Sequence, residues 1–110
     1  MLLTQSEDEG KALENIVYLM LERTVGVDGR VFYFSENSEC DFVVQHGDKV
    51  SELIQVCWEL NAQNMEREVG GLRVAAEVTH CQKCKIITFN QTDTLSLGGI
   101  TIEVIPVWMY

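Results

Sequence analysis

A chain of 110 residues with 46 % hydrophobic residues is long enough to bury one core and too apolar to stay disordered, so a single domain over residues 1–110 is expected. With 17 acidic against 8 basic side chains, the formal net charge is −9. That sign argues against an autonomous nucleic-acid binder, because phosphate contacts are made by Lys and Arg and a local basic patch would work against the field of the whole molecule.

The stretch Met1 to Gly10 carries Glu7, Asp8 and Glu9, which read as a solvated terminus with favourable charge at a helix start. It has no apolar core long enough for a signal peptide, and no run approaches the roughly 20 apolar residues of a transmembrane helix. The expected compartment is therefore the cytoplasm, without a membrane partner. There Cys40, Cys57, Cys81 and Cys84 are expected as free thiols rather than disulfides.

Leu13, Ile16, Val17, Met20 and Leu21 recur at helical spacing, with Glu14 close to the stripe, and predict a first helix from about Gly10 to Arg23. Ser6 and Glu9 have the spacing of a capping box just before it. Asp28-Gly29 breaks the chain, Val31 to Phe34 reads as a strand, Glu36-Asn37-Ser38 as a turn, and Cys40 to Gln45 as the second strand of a hairpin. After His46-Gly47-Asp48, Lys49 to Trp58 is the longest strand, and its far half is apolar on both faces, which places it centrally in a sheet covered on both sides.

From about Asn64 to Val78 helical spacing returns, with Met65, Val69, Leu72 and Ala76 on one side and Glu66, Arg67 and Arg73 on the other. Gly70-Gly71 inside this run costs about 1 kcal/mol per Gly relative to Ala and weakens its continuity. Lys85 to Phe89 is a further strand, Asn90 to Thr94 a polar turn, Gly98-Gly99 another turn, and Ile100 to Val107 the last strand. The order αβββαββ predicts an α/β fold, a mixed β-sheet flanked by helices.

Side chains alternate along a strand, so Gln55 and Cys57 point the same way, and Asp41 opens the strand that precedes them. A carboxylate facing two functional groups at that spacing is a nuclease-like skeleton in which two parts are wrong for metal chemistry. Mg²⁺ prefers anionic oxygen ligands, whereas Gln55 offers only a carbonyl oxygen. Stabilising the negative charge that develops during phosphodiester hydrolysis needs a cation, which the Cys57 thiol does not supply.

The helix Gly10-Lys11-Ala12-Leu13-Glu14-Asn15, the step Glu39-Cys40-Asp41-Phe42, the strand Glu52-Leu53-Ile54-Gln55-Val56-Cys57 and the terminal Ile102-Glu103-Val104-Ile105-Pro106-Val107-Trp108 resemble the carboxy-terminal domain of a prokaryotic family of AAA-type ATPases. That domain, of unknown function, is similar to the restriction-endonuclease-like, PD-(D/E)xK nuclease fold. The resemblance implies that Glu14, Asp41 and Gln55 occupy the metal-ligand positions, and Cys57 that of the lysine which orients the attacking water. Lys49 shares strand parity with Cys57 but lies roughly 26 Å away at about 3.3 Å per residue. Lys11, one helical turn from Glu14, is the substitute that sequence logic leaves. No G-x-x-x-x-G-K-[ST] phosphate loop is present, so ATP hydrolysis is not expected of this sequence.

The resemblance thus implies a non-catalytic accessory or interaction domain with a degenerate nuclease site, without a cofactor. Its partner would be an ATPase domain or chain, or a second copy in a homo-oligomer. The alternative is a Mg²⁺-dependent nuclease acting on DNA through Glu14, Asp41 and Gln55. Outside this set, Cys81-Gln82-Lys83-Cys84 has the spacing of a redox or half-zinc motif, but it follows a helix and precedes a strand, and with His80 it offers at most three ligands. Structural cysteines are the expectation, with His46 and His80 on surface turns and Trp58 and Trp108 packed in the core.

Overall fold

The computed structural model describes residues 5–35 and 38–110. Its elements are α1 (Gln5–Thr24), β1 (Gly29–Ser35), β2 (Glu39–His46), β3 (Lys49–Val56), α2 (Met65–Thr79), β4 (Cys84–Thr88), β5 (Asp93–Leu97) and β6 (Ile100–Pro106), closed by a 3₁₀ turn over Val107–Met109. The sheet is mixed, with strand order β1-β2-β3-β4-β6-β5. The first three strands form an antiparallel meander. α2 then carries the chain across to β4, which runs parallel to β3, and β6 runs parallel to β4.

Two apolar clusters sit on opposite faces of this sheet because neighbouring residues of a strand point to opposite sides. Leu53 of β3 and Ile86 of β4 pack with Val69, Leu72, Ala75 and Ala76 of α2. Ile54, Val56 and Ile87 pack with Leu13, Val17 and Leu21 of α1. The protein is therefore a three-layer α/β sandwich, with β3 an interior strand as its doubly apolar pattern predicts. The buried seam of α1 is Leu13, Val17 and Leu21, each worth roughly 2 kcal/mol of apolar burial. Ile16, counted into the stripe from the sequence, is instead half exposed.

Several boundaries differ from the sequence reading. α1 already includes Ser6 and Glu9, so they do not form a box that opens it. The turn assigned to Glu36 and Asn37, like Met1 to Thr4, lies outside the described residues. β3 ends at Val56, before Trp58. The largest correction is β5: Asp93 and Thr94, read as part of a polar turn, begin an edge strand paired antiparallel with β6. Its alternation is hard to see because Leu95 alone turns inward while its neighbours are exposed. Gly98 and Gly99, with φ of 60° and 84°, supply the backbone that a tight hairpin between β5 and β6 requires.

α2 runs unbroken through Gly70-Gly71. Gly70 faces open space, but a Cβ at position 71 would collide with the Glu39 carbonyl and the Gln55 side-chain amide. The second glycine is therefore what lets α2 lie directly on the start of β2. Trp108 is 70 % exposed on the terminal 3₁₀ turn, contrary to the expected core position, while Trp58 is partly buried and stacks on Phe89 with centroids 4.2 Å apart. All of the cysteines are buried free thiols. Among the described residues, no helix is long and apolar enough to cross a membrane.

Candidate functional site

The site is created where β2 and β3 part. Their ladder ends at the pair Phe42 and Ile54. At the same place β2 takes three residues from Val43 to Cys40 where β1 takes two from Phe32 to Phe34. This bulge turns Cys40 toward the α2 layer and Phe42 toward the α1 layer, and it re-aims Asp41 between them.

Side chains replace the missing ladder. The Asp41 carboxylate accepts a hydrogen bond from the Val56 amide at 2.8 Å, and the Asp41 amide donates to Gln55 Oε1 at 2.9 Å. Gln55 Nε2 donates to the Glu39 carbonyl at 2.8 Å and to the Glu68 carbonyl at 3.1 Å. A side chain that is 2 % exposed thus ties β2, β3 and α2 together, with its oxygen and both amide hydrogens in use.

Above this brace lies a cleft of about 710 Å³ between the first half of α1, the start of β2, the end of β3 and the start of α2. Glu14, Asp41 and Cys57 all line it, as do Lys11 and the wall residues Trp58 and Glu68. Gln55 is buried beneath it. The loop after β3 holds the rim in place: Gln91 clamps the backbone of Leu60 through both its oxygen and its amide, at 2.7 and 2.9 Å. Asn61 Oδ1 accepts from the amides of Gln63 and Asn64, at 2.9 and 3.1 Å, and so shapes the entry to α2. Phe89 donates its amide to the Trp58 carbonyl at 3.1 Å, fixing the tryptophan beside the cleft.

The cleft is acidic. Glu7, Glu14, Glu39, Asp41, Glu59 and Glu68 line it, opposed by Lys11 and Arg67. Burial pushes the Asp41 carboxyl up to about 7; the Val56 amide pulls the other way, and Glu14, Glu68 and Glu39 add to the rise. Burial likewise raises Glu68, partly offset by Arg67. The Cys57 thiol is pushed up to about 12 by burial and then by Glu68 and Asp41, so at neutral pH it is neither a base nor a cation.

Glu68 is the site residue that the sequence analysis missed. It is 7 % exposed, its Oε1 meets Arg67 Nε at 3.4 Å, and its Oε2 is sealed from solvent with no hydrogen-bond partner among the described residues. Its signal was its position: three residues after Met65 and four before Leu72, it sits within the apolar stripe and not opposite it.

A fit to Mg²⁺ by Glu14, Asp41 and Gln55 is poor. The ion demands near-octahedral oxygen ligands, while the Gln55 oxygen already accepts from Asp41 and lies under the cleft floor. Lys83 and Lys85 provide no basic face, since both meet Glu52 Oε2, at 3.7 and 2.7 Å. His80 is the left-handed C-cap of α2, with φ 60°, and His46 closes β2 with its Nδ1 3.0 Å from the Ser51 hydroxyl; both are exposed.

Fold and site together define a mixed α/β domain with an acidic cleft at the splayed end of its central strands. No family model and no solved structure matches the chain. It is 36 % identical, over 116 aligned residues, to the uncharacterized protein MJ1544 of Methanocaldococcus jannaschii. The alignment takes in 98 % of this chain but 26 % of that protein, so the chain spans about a quarter of the relative's length.

Proposed function

We propose that this chain is a non-catalytic accessory or interaction domain, built on a restriction-endonuclease-like scaffold whose nuclease site has been converted into a structural brace. The scaffold reading is supported by the order of elements: α1, an antiparallel meander, and a helical crossover into a strand parallel to β3. The observation that carries the functional reading is Gln55. Its oxygen accepts from a backbone amide and both of its amide hydrogens go to backbone carbonyls, so the side chain that stands in the place of a metal ligand holds the sheet to α2 instead. Cys57 offers a buried neutral thiol where a lysine would be needed.

An attachment to a larger unit, of which an AAA-type ATPase is the one implied by the resemblance, is supported by the relative, where the matching segment is 26 % of the chain. The test is direct. Purified protein incubated with supercoiled plasmid and with single-stranded DNA, in Mg²⁺ and in Mn²⁺, is expected to leave both intact. Cleavage that disappears in Asp41→Ala would overturn the accessory reading. Metal binding gained by a Gln55→Glu, Cys57→Lys double variant of an inert wild type would strengthen it.

A further inference from the structure

We infer that the acidic cleft is a receptor for a single arginine side chain presented by a protein partner, an inference that rests on the interaction-domain reading and names the chemistry its site would recognise. The first ground is Glu68. Its Oε2 is sealed from solvent, has no hydrogen-bond partner among the described residues and belongs to a residue that is 7 % exposed in the cleft wall. A buried acceptor left unmade is costly, and a donor brought by a ligand removes that cost.

The second ground is what already touches this carboxylate. Arg67 Nε reaches Oε1 at 3.4 Å from a side chain that is 78 % exposed, a long and weakly held contact that leaves Oε2 unserved. An incoming guanidinium offers five N–H donors in a planar fork that matches a carboxylate through two bonds at once. Arg67 reaches Oε1 from an exposed side chain that also lines the cleft, and its displacement would open this carboxylate to the incoming group. Glu14 and Asp41 face the same space and complete a carboxylate lining from α1, β2 and α2.

The remaining wall favours an organic cation over a bare ion. Trp58 lines the cleft with its ring fixed by the stack on Phe89, at an interplanar angle of 11°, and a guanidinium is attracted to an aromatic face. At about 710 Å³ the cleft accommodates a whole side chain, and a guanidinium is more weakly hydrated than an ammonium or Mg²⁺ and so enters a partly dry site more readily. The net charge of −9 repels a polyanion and steers a basic protein surface toward the cleft.

The experiment titrates the ¹⁵N-labelled full chain with Nα-acetyl-L-arginine methylamide, and in separate arms with its lysine and citrulline counterparts, MgCl₂ and MnCl₂, following the Val56 amide and the Trp58 indole. The arginine probe is expected to shift both signals saturably and to bind about tenfold tighter than the uncharged citrulline probe. Glu68→Gln, which keeps the volume and removes a buried charge, is expected to weaken it about tenfold. Asp41→Asn, which retains an acceptor for the Val56 amide, serves if Glu68→Gln does not fold, and is expected to weaken binding severalfold. Equal response to citrulline, full affinity in Glu68→Gln, or saturation of the same signals by Mg²⁺ or Mn²⁺ without any response to the arginine probe would overturn the inference. If the probe fails while DNA stays uncut, this inference falls and the accessory reading stands; Asp41-dependent cleavage brings down both.

Discussion

Replacing Asp41 by Asn isolates what the cleft does to the stability of the fold. The Asn side chain keeps an oxygen for the Val56 amide, now 2.8 Å from the carboxylate, so the change removes a charge and leaves the brace. Asp41 has its carboxyl raised from 3.8 to about 7 by burial and neighbouring carboxylates, so between these values the folded protein holds a proton that the unfolded chain has released. A group raised in this way contributes stability that is complete below the unfolded value and is lost as pH climbs through the folded one. At about 1.4 kcal/mol per pH unit the ceiling is about 4 kcal/mol, and solvent reaching a partly exposed carboxylate reduces the working figure to about 2. Urea unfolding at about pH 3.5, below the unfolded value, and at pH 8 measures it. Wild type and Asp41→Asn should be nearly equal at the lower pH, with the variant already the more stable at pH 5 and ahead by about 2 kcal/mol at pH 8. A difference between them that does not change with pH, or a variant less stable at pH 8, would refute the reasoning.

The glycine pair in α2 offers a contrast within two adjacent positions. Gly70→Ala, facing open space, should raise stability by about 0.5 to 1 kcal/mol, whereas Gly71→Ala, driven against the Glu39 carbonyl and the Gln55 amide, should lower it by about 2 or more, both read by urea unfolding at constant pH. Gln55→Glu sets a carboxylate oxygen against the Glu39 and Glu68 carbonyls in place of an amide donor, and thermal unfolding at pH 8 should show a loss of about 3 kcal/mol that shrinks toward pH 4 as the new carboxyl protonates.

The layers of the fold were legible because they rest on strong periodic signals. Leu13, Val17 and Leu21 mark one helix face, and the doubly apolar end of β3 marks an interior strand. β5 was illegible for the converse reason. An edge strand paired on one side only can be polar nearly throughout, and Asp93, Thr94 and Ser96 carry turn-forming side chains that here point to water. Trp108 misled because it follows the apolar run of β6, yet Pro106 ends that strand and the chain turns into a 3₁₀ segment that leaves the ring outside.

The site divides in the same way. Asp41 and Gln55 could be placed opposite one another from strand parity, since parity needs only a register, but their bonding could not, because a bulge in β2 decides which atoms meet. Glu68 shows where such reading stops. A carboxylate is taken as the solvent face of a helix unless something pulls it inward, and what does so here is Gly71, which seats α2 on β2 so closely that the first turn after Met65 is carried under the cleft. The same close seating brings the Glu68 carbonyl to Gln55 Nε2 and leaves the Glu68 carboxylate half satisfied. The brace that supports the non-catalytic reading and the orphaned oxygen that calls for a cationic partner therefore have one structural cause, and Gly71→Ala, by lifting α2, should disturb both together.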